Sequence, residues 1–290
     1  MCDFMLNSII NYIDKNRKLH QAVPLFLAIL ILIDLVLIIY VTLNLLNRIG
    51  FEEKIILRIY PLDVLLGMTI YLKTAIDFAI FIGRLMHKNP GWKSRVAIEF
   101  GTAIGNGLGT IIVLIIWVFV KNVEILLASM IFLASLVLFE LAYEGIEHFS
   151  SWKDKKFKKI LYYSLEFPLK YILKIIKPVL GKFMPHIGSQ LKGESLKSWR
   201  SLLLFSFGIP FILGLDDFAG YVPLFSVVNV FSFSIGVIAA HTLLNVALFI
   251  NPNITIKLVK NEWISYIGSV AFIVISVYGF VEIAKILSHL

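Results

Sequence analysis

Asp77 and Asp217 each open a short motif inside a long apolar run. The two stretches are Asp77-Phe78-Ala79-Ile80-Phe81-Ile82 and Asp217-Phe218-Ala219-Gly220-Tyr221-Val222. A carboxylate at the centre of a membrane helix costs about 2.5–3.5 kcal/mol on insertion scales, so such residues pair, line water or hold an ion. Two carboxylates brought together repel, and a divalent cation between them relieves both at once. Lys73 stands four residues before Asp77 and is a competing partner for it. Asp217 has Leu213 at the equivalent place and is left with its charge uncompensated. Asp216 points about 100° away from Asp217 on a helix. It is either a second ligand, if the helix unwinds among Gly208, Pro210, Gly214 and Gly220, or a local cap or pair.

A second set of polar residues has helical spacing. Glu99, Thr102 and Asn106 fall at i, i+3 and i+7, and His241 and Asn245 at i and i+4 beside Thr242. Carboxylate, amide and hydroxyl oxygens suit hard cations such as Ca²⁺, Mn²⁺ or Mg²⁺, and a histidine nitrogen shifts the preference towards transition metals. His241 reads either as a ligand or as a hydrogen-bonded packing residue. The candidate ion-binding set is therefore Asp77, Asp217, Asp216, Asn106, Asn245, Thr102 and Glu99, with Asp77, Asp217, Asn106, Asn245 and His241 as direct metal ligands. The metal enters as substrate; no resident cofactor is expected. Gly101, Gly105 and Gly109 read as small-residue steps for close helix packing. Asp34 is expected to pair with Lys73 or a polar face of the bundle, or to relay protons. The single cysteine, Cys2, excludes internal disulfides and dithiol relays.

The elements that position these residues are membrane helices. Of the 290 residues 59% are hydrophobic and 16% charged, and mean hydropathy is +0.86. Soluble domains have roughly 45–50% apolar and about 25% charged residues, so a soluble globular protein is excluded. Apolar runs of about 22–26 residues predict seven spans: Ala22–Leu46, Leu65–Met86, Arg95–Val120, Val123–Glu147, Ser201–Phe225, Ser226–Ile250 and Trp263–Ser288. The expected fold is an all-α polytopic membrane bundle. The net charge of +8 is assigned to cytoplasmic loops rather than to nucleic-acid binding. Lys and Arg divide 21 against 5 between the two sides of that plan, which places the N-terminus in the cytoplasm and the C-terminus outside. The polar start lacks a cleavable signal core, and the expected location is a prokaryotic inner or plasma membrane.

The two aspartate motifs lie 140 residues apart, and at the same offset Ile98 matches Ile238 and Thr102 matches Thr242. Asn106 and Asn245 lie within one residue of that register. A unit with an odd number of spans reinserts upside down, so the repeat predicts two inverted three-helix units related by an axis in the membrane plane. The chain divides into a leading segment and helix (1–64), a first repeat (65–147), a basic cytoplasmic linker (148–200) and a second repeat (201–290). Within the linker, residues 155–183 alternate Lys with apolar residues at helical spacing. They predict interfacial helices, broken at Pro168 or Pro178, held to anionic lipid headgroups.

Two three-helix units, each opened by an aspartate motif, resemble the lysine-exporter transporter superfamily. That group includes cadmium-resistance, manganese-efflux, nickel/cobalt and tellurium-resistance types. Asp77-Phe78-Ala79 resembles the motif of its metal-exporting members, and Leu215-Asp216-Asp217 the double aspartate of the cadmium-resistance type. The resemblance covers residues 65–288 and implies that Asp77 and Asp217 contact the ion with Asn106 and Asn245 beside them. It implies efflux of a divalent cation such as Mn, Ca or Cd by alternating access, without enzymatic activity. The histidine-rich signature of the nickel/cobalt type is absent. Export of a small amino acid and an intramembrane aspartic-type enzyme are the alternatives, and the plan is compatible with a homodimer.

Overall fold

The computed structural model describes residues 12–13, 15–49, 54–89, 91–154, 156–180, 199–226 and 228–289. Ten α-helices and no strand occur among them. They are α1 (Arg17–Leu46), α2 (Pro61–Thr74), α3 (Ile76–Lys88), α4 (Trp92–Val120), α5 (Glu124–Glu147), α6 (Lys156–Leu180), α7 (Trp199–Gly220), α8 (Val230–Ile250), α9 (Pro252–Val259) and α10 (Glu262–His289). Short 3-10 turns occupy Ser150–Asp154 and Val222–Ser226. Local chemistry sets several starts. Pro61 and Pro252 stand in the first turn, where a missing N–H costs nothing. The side chains of Asn229 and Asn251 cap α8 and α9 by accepting from Ser232 N and Ile254 N.

The chain is an integral membrane protein by length and apolarity. Five helices (α1, α4, α5, α8 and α10) are long and apolar enough to cross a bilayer, and α2 with α3 make a sixth if the bent pair counts as one span. The seventh expected span is α7, whose side chains at 212–220 lie outside the described residues. The predicted span Leu65–Met86 is not a single straight helix. It breaks at Ala75, where ψ is 17°, and the two halves bend by 69°. The expectation of a break near Asp216 is corrected: α7 runs helical through Pro210 to Gly220. So is that of a break in the linker, since α6 is continuous through Pro168.

Helix pairing follows a simple scheme. α4 packs along α7, α2 along α8, and α5 against α10. The first two pairs run parallel. Gly101 lies against Leu203 and Ser206, and four residues on Gly105 lies against Phe207 and Phe211. Likewise Gly67 meets Phe233 and Tyr71 meets His241. The third pair is antiparallel and reciprocal: Gly145 lies on Ser269, and Gly279 lies on Ser135. Gly145 precedes Gly279, and Ser135 precedes Ser269, by the same 134 residues. Across this seam Ser276 donates to the Ser135 carbonyl at 2.7 Å. α1 lies across α4 and α8, with Leu35 on Gly107 and Tyr40 5.9 Å from Phe231.

A ring cluster clamps α6 to the bundle. Trp152 and Phe149 are fully buried among Tyr162, Trp263 and Tyr266. Glu262, at the start of α10, accepts from Trp152 Nε1 at 2.8 Å and from the Ser151 hydroxyl, and Lys158 stands 3.6 Å from it. Tyr162, Leu169, Leu173 and Ile176 face inward. The outer face carries an apolar stripe, Ile160, Phe167, Tyr171 and Ile175, exposed by 58–77%. Exposed Lys156, Lys159, Lys170 and Lys174 run beside it.

Candidate functional site

The break at Ala75 places two helix ends inside the bundle. Ala75 N still donates to the Tyr71 carbonyl, and Ala79 N donates to the Ala75 carbonyl. The amides that open α3 and the carbonyls that close α2 therefore meet at one point. Such ends are partial charges, positive at the α3 side and negative at the α2 side. Asp77 is the second residue of α3, in its first turn. Its side chain, like those of Asp216 and Asp217, lies outside the described residues.

Around this break runs a continuous hydrogen-bond chain from three helices. Asn245 Nδ2 donates to Thr102 Oγ1 at 3.1 Å and to His241 Nε2 at 2.9 Å. Nε2 is thus the acceptor of a neutral ring, and the assignment leaves Nδ1–H to donate to the Tyr71 hydroxyl, 2.6 Å away. Thr102 in turn donates to the Glu99 carbonyl at 3.0 Å. Phe78 covers the imidazole at 5.0 Å. The structure therefore joins Thr102, Asn245 and His241, and buries Glu99 and Asn106 on the same helix as Thr102. Both nitrogens of His241 are engaged, so a metal on His241 requires one of these bonds to open.

Some of this polar interior is unsatisfied. Among the described residues, Asn245 Oδ1 is a buried acceptor without a donor. Asn106 Nδ2, Thr110 Oγ1 and Ser206 Oγ are likewise buried without partners among the described residues. Each such group costs about 1–3 kcal/mol. An acceptor lacking a donor is the kind of group a cation satisfies. Among the described residues no three His, Cys, Asp or Glu side chains converge.

Access comes from the end where α2, α5 and α8 begin and α4 and α10 finish. A cavity of about 540 Å³ opens there, with Asp63, Lys54, Lys121 and Glu282 at its polar rim and Trp117 and Phe225 in its wall. Four rings lead inward from that wall. Trp117 meets Phe225 edge to face (5.3 Å), as Phe225 does Phe233 (6.0 Å) and Phe233 does Tyr221 (5.3 Å). The Tyr221 hydroxyl meets Thr74 Oγ1 at 2.7 Å, one residue from the break. An apolar plug thus separates the open vestibule from the polar chain. Sequence reading missed Tyr71, Thr74, Tyr221 and the plug. Their only signal was a polar tip within an apolar run.

Two expectations change. Lys73 does not pair with Asp34. Its stem lies on Gly268 and its Nζ is 3.0 Å from where a Cβ of Gly145 would stand, between α5 and α10. Asp34 stands exposed at the middle of α1, on the face away from the bundle, among Leu30, Ile33, Leu37 and Ile38. Asp34→Leu should therefore leave stability in detergent unchanged or raise it, by up to about 3 kcal/mol. A loss of several kcal/mol on thermal unfolding would show that Asp34 is a structural partner. Compared with protein-family models, curated proteins and solved structures, the chain matches none.

Proposed function

We propose that this chain is a transporter that exports a divalent metal cation by alternating access. Seven crossings build it, as two inverted three-helix units behind a leading helix. The observation that carries this reading is the reciprocal packing. The first helix of each unit lies along the second helix of the other, and the third helices meet antiparallel through two serine–glycine contacts in the same register. Parallel, parallel and antiparallel are the directions that an odd-numbered unit and its inverted copy produce. The break at Ala75 supports a midplane site, because half-helix carbonyl ends coordinate cations in transporters of this kind. The vestibule on one side, closed below by the aromatic plug, supports a state open to one face only.

Asp77 and Asp217 are the charged ligands in this reading, with Asp216 as a secondary contact and Asn245 Oδ1, Asn106, Thr102 and Glu99 as oxygen donors. The outer stripe of α6 lies in the headgroup layer of the cytoplasmic leaflet. Its lysines meet anionic phosphates there, as expected for an interfacial helix. The N-terminus is then cytoplasmic and the vestibule external.

A ligand panel on detergent-purified protein tests the reading. Mn²⁺, Ca²⁺ or Cd²⁺ at millimolar concentration should raise the melting temperature by several degrees, and small amino acids should not. Stabilisation by an amino acid, with none by any divalent ion, overturns the metal assignment.

A further inference from the structure

Lys73 is a buried cation outside the polar chain just described. It is 6% exposed, and its Nζ has no hydrogen-bond partner among the described residues. The position is built for it. Gly268 leaves room for the stem and Gly145 for the ammonium group, and at either glycine a Cβ would collide with the lysine or crowd it. The ammonium ends at a small cavity of about 40 Å³, large enough for water, bounded by Lys73, Thr74, Ile76, Glu144 and His148. Glu144 is exposed on the far rim and His148 half-exposed. Both stand in the last turn of α5 or just past it, at the end of the bundle opposite the vestibule. Lys73 also shares a helical turn with Tyr71, whose hydroxyl meets His241 in the polar chain, and with Thr74, whose hydroxyl meets Tyr221.

Resting on the transport reading above, we propose that Lys73 is the proton-carrying residue, which makes the protein a divalent cation/proton exchanger. A cation reaching the polar chain repels the ammonium group across α2. One Nζ–H bond then breaks, and the proton passes to cavity water. It goes on to the Glu144 carboxylate or a His148 ring nitrogen, and from there to bulk solvent. Lys73 is left as the neutral amine. When the cation leaves, the reverse transfer restores the charge and the empty site stays neutralised. Of the elements packed on Lys73, α5 presents Glu144 and His148 and, one turn earlier, Glu140, whose Oε2 is buried without a partner among the described residues. α10 presents Ser269 and Phe272, and α3 presents Ile76.

The test uses full-length protein in liposomes, with Mn²⁺ as the probe metal and a trapped pH dye. In the wild type an opposing pH gradient should accelerate Mn²⁺ flux about tenfold, with proton counterflow. Lys73→Met and Lys73→Gln should keep Mn²⁺ flux down its own gradient and lose both the acceleration and the counterflow. Glu144→Gln with His148→Gln should slow the counterflow. Mn²⁺ flux without counterflow in the wild type, or unchanged counterflow in both Lys73 variants, overturns the assignment and leaves the transport reading standing. Absence of Mn²⁺ flux at every pH overturns the two together.

Discussion

Asp217→Asn should bring divalent-cation flux in liposomes down to the level of empty vesicles. The change keeps the side chain's size and removes its charge. Removing one member of a buried charged set costs about 3 kcal/mol or more, which is roughly a 100-fold loss. Asp77→Asn should do the same, because the proposed inverted repeat makes the two residues equivalent. Asp216→Asn should cost about tenfold or less, since it supplies at most a secondary contact. Stabilisation by Mn²⁺ should vanish with flux in the first two variants, while the melting temperature of the ion-free protein stays the same or rises. That rise is expected because the ion-free site then holds one carboxylate fewer for the Lys73 charge to offset. Normal flux in Asp217→Asn would falsify the site and leave the aspartates as structural groups.

The second large effect concerns the most extensive helix pair, α4 and α7. A Cβ on Gly105 would overlap the Phe207 carbonyl oxygen and lie 3.0 Å from Phe211 N. Both are backbone atoms that cannot rotate aside, so a larger residue must part the helices. Gly105→Leu should therefore destabilise by about 3 kcal/mol or more, at the upper end for overpacking. Gly208→Leu is the control, because a Cβ there meets nothing within 4 Å among the described residues. It should be neutral or slightly stabilising, since leucine is the better helix former by somewhat under 1 kcal/mol. Unfolding in a mixed-detergent titration separates the two. Equal losses would mean that close approach at Gly105 is not what holds the pair.

Much of this architecture was legible in the residues. Continuous apolar runs located the five long apolar helices α1, α4, α5, α8 and α10 to within a few residues, because lipid leaves only helices as an option. The i, i+3, i+7 pattern placed Glu99, Thr102 and Asn106 on one buried helix, and the close match of Asn106 with Asn245 pointed to the helices that share the polar chain. The break at Ala75 was not legible, since no glycine or proline lies between Ile70 and Ile82. Helix-breaking residues pointed instead to α7, where Pro210 is accommodated within a helix packed along α4. That error had a consequence. Lys73 and Asp77 stand four apart, which puts them on one face only if the helix is unbroken, and Ala75 lies between them. The lysine's route between α5 and α10 follows from tertiary packing alone.

The serine–glycine seam of α5 and α10 bears on how such a bundle could rock. Its two contacts interchange under the rotation that exchanges the halves. If the units trade conformations, the seam fits equally well before and after, so it acts as a fulcrum rather than a latch. The bias between the two end states then resides in the other pairs, where the halves are unlike. Gly101 and Gly105 bring α4 onto α7, whereas Gly67 and Gly236 bring α2 onto α8. In the proposed alternating-access cycle, those unequal shoulders would set which face the resting molecule opens to.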